Sequence, residues 1–324
     1  MSPFFFFFFF FFSFSILLVV STNSWFIAWL AMEINLMSFI PMMMKKNKYT
    51  VESALKYFLV QSMGSSMIIM ASIFFLMFKL LPAIIIFFGL MLKSGAAPFH
   101  QWLPSIADGI SWPNIFLLFT IQKISPLCMT TFLHLSNTTL YLFYLHIVSS
   151  ALVGALGGLN QTSLRKIMSY SSISHMSWML AALMNSIYSW ITYFSLYIFI
   201  ILSVVANFYF LQMFYMSQMF MKKNYNPFLL SVSLLSLGGL PPFTGFIPKF
   251  IVSQELITQT NLFILFILLT SVFLTLFFYA RMFFVLLLSA TNTSTFSFYK
   301  PKAHLSLLSL QLLVMFIIPL AMLT

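Results

Sequence analysis

The chain has 324 residues, of which 61% are hydrophobic and 6% charged, with a formal net charge of +11 and a mean hydropathy of +1.03. A soluble domain carries roughly 25% charged residues, so this composition excludes a surface that faces water. In lipid only helices and closed barrels satisfy their own backbone; apolar stretches of about 20 residues recur here without barrel alternation, so helices are expected.

About eleven spans are predicted, near 3–20, 25–43, 52–76, 81–104, 112–134, 140–159, 165–184, 188–219, 228–258, 262–287 and 304–323. The first opens with an unbroken run from Phe4 to Phe12. That run has neither a charged start nor a small-residue cleavage site, so it reads as low-complexity filling of a span rather than a cleaved signal. No linker separates soluble domains, and residues 1–324 are expected to form a single transmembrane domain. The one cysteine, Cys128, lies inside a span. It excludes an internal disulfide and an iron–sulfur cluster built from this chain's thiolates alone.

Basic residues gather in the connections: Lys45, Lys46 and Lys48, then Arg165 and Lys166, Lys222 and Lys223, and Lys300 with Lys302. If the spans alternate, all of these fall on one side, and the opposite connections hold only Lys79 and Glu255. The positive-inside rule then puts the N-terminus inside and, with an odd number of spans, the C-terminus outside. It also explains the net charge without nucleic acid as a partner.

Two spans are interrupted by helix breakers. Gly95 and Pro98 follow Lys93 in the fourth, and Gly238, Gly239, Pro241, Pro242, Gly245 and Pro248 crowd the ninth. Proline removes a donor and clashes with the preceding turn, so both helices are expected to unwind locally. Broken spans an odd number apart have opposite orientations, the mark of an inverted repeat. The alternative is a pair of packing kinks.

Glu33, Lys93, Lys123 and Lys249 lie near the middle of their spans. Each costs about 2.5–3.5 kcal/mol or more at a helix centre, which makes them functional candidates. A buried lysine poised between desolvation and a nearby carboxylate exchanges a proton readily. The competing reading is a static ion pair that fixes helix packing. His100 and the Ser169, Ser172 and His175 stripe rank lower; the stripe suits water or routine interhelical hydrogen bonding equally. Glu52 and Lys56 read as a local i,i+4 pair, Lys79, Lys166 and Arg281 as snorkelling residues, and His134 and His146 as interfacial. Nucleotide and metal-binding motifs are absent, so no cofactor or metal is expected on this chain.

Six stretches carry a family resemblance: AWLAMEINLMSFIP, ESALKYFLVQS, LKSGAAPFHQWLP, IQKISP, LRKIMSYSSISHMSW and SLGGLPPFTGFIPKF, running from Trp29 to Phe250. In these the chain resembles the chain 2 family of mitochondrial NADH–ubiquinone oxidoreductase, antiporter-like subunits of the membrane arm of respiratory complex I. The resemblance implies two inverted five-helix repeats, each with a broken helix. It implies Glu33 and Lys93 as the Glu–Lys pair of the first half-channel, Lys123 as the connecting lysine, and Lys249 as the lysine of the second broken helix. It implies related membrane-arm subunits and lipids as partners in the mitochondrial inner membrane, with the N-terminus facing the matrix. NADH, FMN, iron–sulfur clusters and ubiquinone would be handled by other subunits. Ser94 and Gln101 depart from the bulkier apolar residues expected at their places. A stand-alone cation/proton antiporter and a non-pumping spacer of the membrane arm are the rival functions.

Overall fold

In a computed structural model of the protein, residues 3–44, 47–74, 80–133, 137–221, 227–241 and 243–291 are described. They are helical apart from turns and one isolated antiparallel bridge, Ser163 to Tyr215. Among the described residues five helices are long and apolar enough to cross a membrane: Trp25–Met43, Lys48–Phe74, Thr138–Leu159, Ile187–Leu211 and Leu262–Leu286. Lys45, Lys46, Lys79, Lys222, Lys223, Lys300, Lys302, His134 and the expected span 304–323 lie outside the described residues.

The chain divides into two compact units, Met1–His146 and Ile147–Thr324. The first contains α1 (Pro3–Ser21), α2 (Trp25–Met43), α3 (Lys48–Phe74), α4 (Leu80–Ser94), α5 (Trp102–Ala107), α6 (Trp112–Phe119) and α7 (Ile121–Thr131). α1 packs on α2, α2 on α3, α3 on α4, and α4 on α7. The phenylalanine run is helical, and one of its rings, Phe12, is fully buried and stacks on Phe39 of α2 at 5.6 Å. Phe6 and Phe10 are instead more than half exposed, as lipid permits for any apolar side chain.

The second unit holds the latter part of α8 (Asn137–Leu159), then α9 (Leu164–Asn185), α10 (Ile187–Leu211), α11 (Ser217–Met221), α12 (Pro227–Gly238), α13 (Phe246–Thr258) and α14 (Leu262–Thr291). Here α9 packs on α10, α13 and α14, and α12 lies against α10 and α14. 

The structure corrects two expected spans. The one at 188–219 ends at Leu211, where Gln212 takes a left-handed conformation (φ 46°) and caps α10 before the short α11. The one at 112–134 is divided at Thr120 (φ −114°, ψ −80°) into α6 and α7. Pro126, lacking an N–H and crowding the carbonyl four residues back, weakens the turn that holds Lys123. The Lys123 N–H bonds Thr120 O at 3.0 Å, three residues back, as the first turn of α7 starts from the break.

Candidate functional site

In the first unit α4 stops where the glycine and proline signals put the break. Gly95 has φ +74°, a conformation that only glycine adopts cheaply, and its N–H bonds Met91 O at 3.0 Å. Unwinding leaves carbonyls without helical partners, and each needs a donor in a place without bulk water. Side chains supply them. Trp102 Nε1 donates to Leu92 O at 3.1 Å, Gln61 Nε2 to Lys93 O at 3.2 Å, and His146 Nδ1 to Ala97 O at 2.7 Å. His146 is therefore fully buried, ringed by Phe87, Phe88 and Phe99, and not the interfacial residue the sequence suggested. The exposed carbonyl of the break draws it inward. Ser94 is buried and back-bonds Met91 O at 3.0 Å, while Gln101 is exposed.

Lys93 is 7% exposed at the end of α4, where the helix dipole favours a cation. Glu33 of α2 interacts with it electrostatically, yet the two do not form a contact ion pair. Glu33 is half-buried and lines a groove of about 450 Å³ with Phe7, Phe8, Phe11 and Trp29. Glu52 and Lys56 do form a contact ion pair, exposed and at 2.6 Å, as their spacing indicated. Lys123 is 2% exposed on α7. Its neighbours on that helix, Gln122 and Ser125, share a small polar pocket with Lys93. The unit thus gathers Glu33, Lys93 and the Lys123 helix around one break. His100 stays half-buried in the break itself, its Nδ1 bonded to Pro98 O at 3.1 Å.

In the second unit α12 ends on a glycine of the same kind, Gly239, at φ +80°. The carbonyl exposed here is Gly238 O, and its partner is the ammonium of Lys249, from the first turn of α13, at 2.8 Å. Lys249 is 8% exposed. A Cβ on Gly239 would lie 2.9 Å from the Lys249 Nζ, so a larger residue there would displace the ammonium.

Elsewhere in this unit His175 of α9 shares a 2.8 Å hydrogen bond, through Nδ1, with the Tyr193 hydroxyl of α10, and its ring lies 4.9 Å from that of Tyr197. Ser169 and Ser172 are fully buried, and their hydroxyls bond back to Lys166 O at 2.7 Å and Ser169 O at 2.8 Å. Arg281, expected to snorkel, directs Nη2 to Gln161 O at 3.0 Å, beyond the end of α8.

Asn35, Gln61, Gln122 and Tyr193 carry this geometry without having stood out in the sequence. Uncharged amides within a span were the available signal, masked by the charged Glu33 two positions from Asn35.

Residues 77–275, which include all three buried lysines, match the family described as NADH:quinone oxidoreductase/Mrp antiporter, TM. The Anopheles gambiae protein named NADH-ubiquinone oxidoreductase chain 2 is 45% identical over 279 residues, 82% of this chain and 81% of that one. The chain belongs to the NADH-ubiquinone oxidoreductase chain 2 family. The Aedes aegypti member of the chain 2 family is 43% identical, again covering 82% of this chain and 81% of its own. A chain in the structure of respiratory complex I from Thermus thermophilus has a similar fold, with a TM-score of 0.81 at 19% identity. That likeness covers 97% of this chain and 77% of the Thermus one. Like other members of the chain 2 family, this is a multi-pass helical membrane protein.

Proposed function

We propose that this chain is a core membrane-arm subunit of a proton-translocating NADH:ubiquinone oxidoreductase of the mitochondrial inner membrane. Electron transfer from NADH to ubiquinone takes place on other subunits, and this one contributes a proton path as a single antiporter-like domain. The observation that carries the reading is the buried lysine at each helix break, Lys93 at the end of α4 and Lys249 on the last carbonyl of α12. Two such breaks support an architecture of about eleven spans in two inverted five-helix repeats. The loop charges support an N-terminus on the matrix side and a C-terminus on the intermembrane-space side.

In this reading a signal from neighbouring membrane-arm subunits shifts the balance between Glu33 and Lys93. A proton then passes by way of Lys123 to Lys249 and out, with His100, Ser169, Ser172 and His175 as subsidiary stations. Moving one charge against the membrane potential costs about 2.3 kcal/mol per 100 mV, which changes in the environment of a buried lysine supply. The chain itself holds no redox group in this scheme.

The test is a Glu33→Gln complex, purified and returned to vesicles. Normal assembly with impaired coupled quinone reduction and pumping supports the path; full turnover and full pumping refute the role of Glu33. A stand-alone antiporter would exchange ions by itself, whereas this reading requires stoichiometric co-purification with an NADH-oxidising assembly. A pure spacer would pump normally after neutralisation of Glu33, Lys93, Lys123 and Lys249 together.

A further inference from the structure

Between α2, α3, α4 and α7 lies a pocket of about 10 Å³ lined by Asn35, Tyr57, Gln61, Lys93, Gln122 and Ser125, with Met32, Leu36 and Pro126 closing it. A space of that size is at the lower bound for one water molecule, which also needs two to four polar partners. The partners are present. Asn35 is 2% exposed, and among the described residues neither its Nδ2 nor its Oδ1 has a hydrogen-bond partner; the same is true of the buried Nε2 of Gln122. Gln61 already spends its Nε2 on Lys93 O, which fixes one wall. A buried amide left unpartnered is destabilising, so an apolar side chain at position 35 would be the more stable choice unless something fills the pocket.

We propose that this pocket is a binding site for a single ordered water, held by Asn35 and Gln122 beside Lys93. Asn35 offers both a donor and an acceptor and fixes the orientation of the water; Gln122 donates to its oxygen from α7. The water gives Lys93 a polar neighbour on the side facing α7, the helix that bears Lys123. Asn35 is thus a positioning residue for proton exchange at Lys93, and the proposal rests on the proton-path reading above only in this functional part.

The test combines a map of the intact complex at a resolution that shows ordered water with two variants, Asn35→Leu and Asn35→Ser. The expected map has one water within hydrogen-bond reach of Asn35 and Gln122, lost in Asn35→Leu. Proton translocation by the assembled Asn35→Leu complex is expected to fall about tenfold or more, as when a proton-transfer group loses its relay. Asn35→Ser, which keeps a hydroxyl on the pocket, restores most of it and brings back the wild-type solvent isotope effect. A dry pocket in the wild-type map overturns the site. Wild-type pumping by Asn35→Leu overturns the positioning role; where that variant fails to assemble, the wild-type map and Asn35→Ser decide. If a Lys93→Met complex pumps normally while the water is seen, the proton-path reading fails and the water site stands.

Discussion

The ammonium of Lys249 donates to Gly238 O at 2.8 Å, so the second half of the broken helix closes the open end of the first with its own cation. Lys249→Met keeps an unbranched apolar stem, one atom shorter, and removes the donor. It is expected to leave the Gly238 carbonyl unpartnered at a cost of about 1–3 kcal/mol and to abolish proton translocation. Thermal melting of the assembled complex and pumping in vesicles measure the two effects separately. An unchanged pumping rate counts against Lys249 as a station on the path.

Gly239→Ala tests the same turn from the other side. A Cβ at φ +80° costs roughly 1–2 kcal/mol and would meet the ammonium at 2.9 Å. The expected outcome is a lower melting temperature together with reduced pumping. Loss of stability alone would show that the position of the ammonium is not critical.

Tyr193→Phe removes the hydroxyl that fixes His175 and leaves ring packing intact. A cost of about 1 kcal/mol is expected from the lost hydrogen bond. If His175 serves the path, the pH profile of pumping also changes shape, a response that simple loss of packing does not produce.

His146→Leu takes the donor from Ala97 O inside the first break. The expected cost is about 1 kcal/mol for the lost hydrogen bond, read as reduced assembly or a lower melting temperature. Retained stability would mean that water replaces the imidazole there. By contrast Glu52→Gln, which dissolves an exposed i,i+4 pair, should change stability by no more than about 0.5 kcal/mol and leave pumping intact.

Much of the fold was legible because lipid reduces the choice of structure to helices and because glycine and proline mark where those helices must stop. The breaks after Ser94 and Gly238, and the burial of Lys93, Lys123 and Lys249, follow directly from those two facts. The division at Thr120 was not legible, since no glycine or proline marks the turn there. His146 was misjudged for a related reason: its partner, Ala97 O, is distant in sequence and becomes needy only once the fourth span has unwound. Glu33 and Lys93 were expected as a pair. The structure gives them an electrostatic relation without contact, because Glu33 and Asn35, two residues apart on α2, face different sides: Glu33 the groove with Phe7 and Phe11, Asn35 the pocket of Lys93.

The helix that opens the chain shows how unevenly meaning is spread over identical letters. Phe12 is locked against Phe39, whereas Phe6 and Phe10 touch little of the protein. Within the chain, leucine, isoleucine or methionine would fill the latter two positions as well. Selection has purchase at Phe12, so a comparison of close relatives should find the run eroding at its outer letters first.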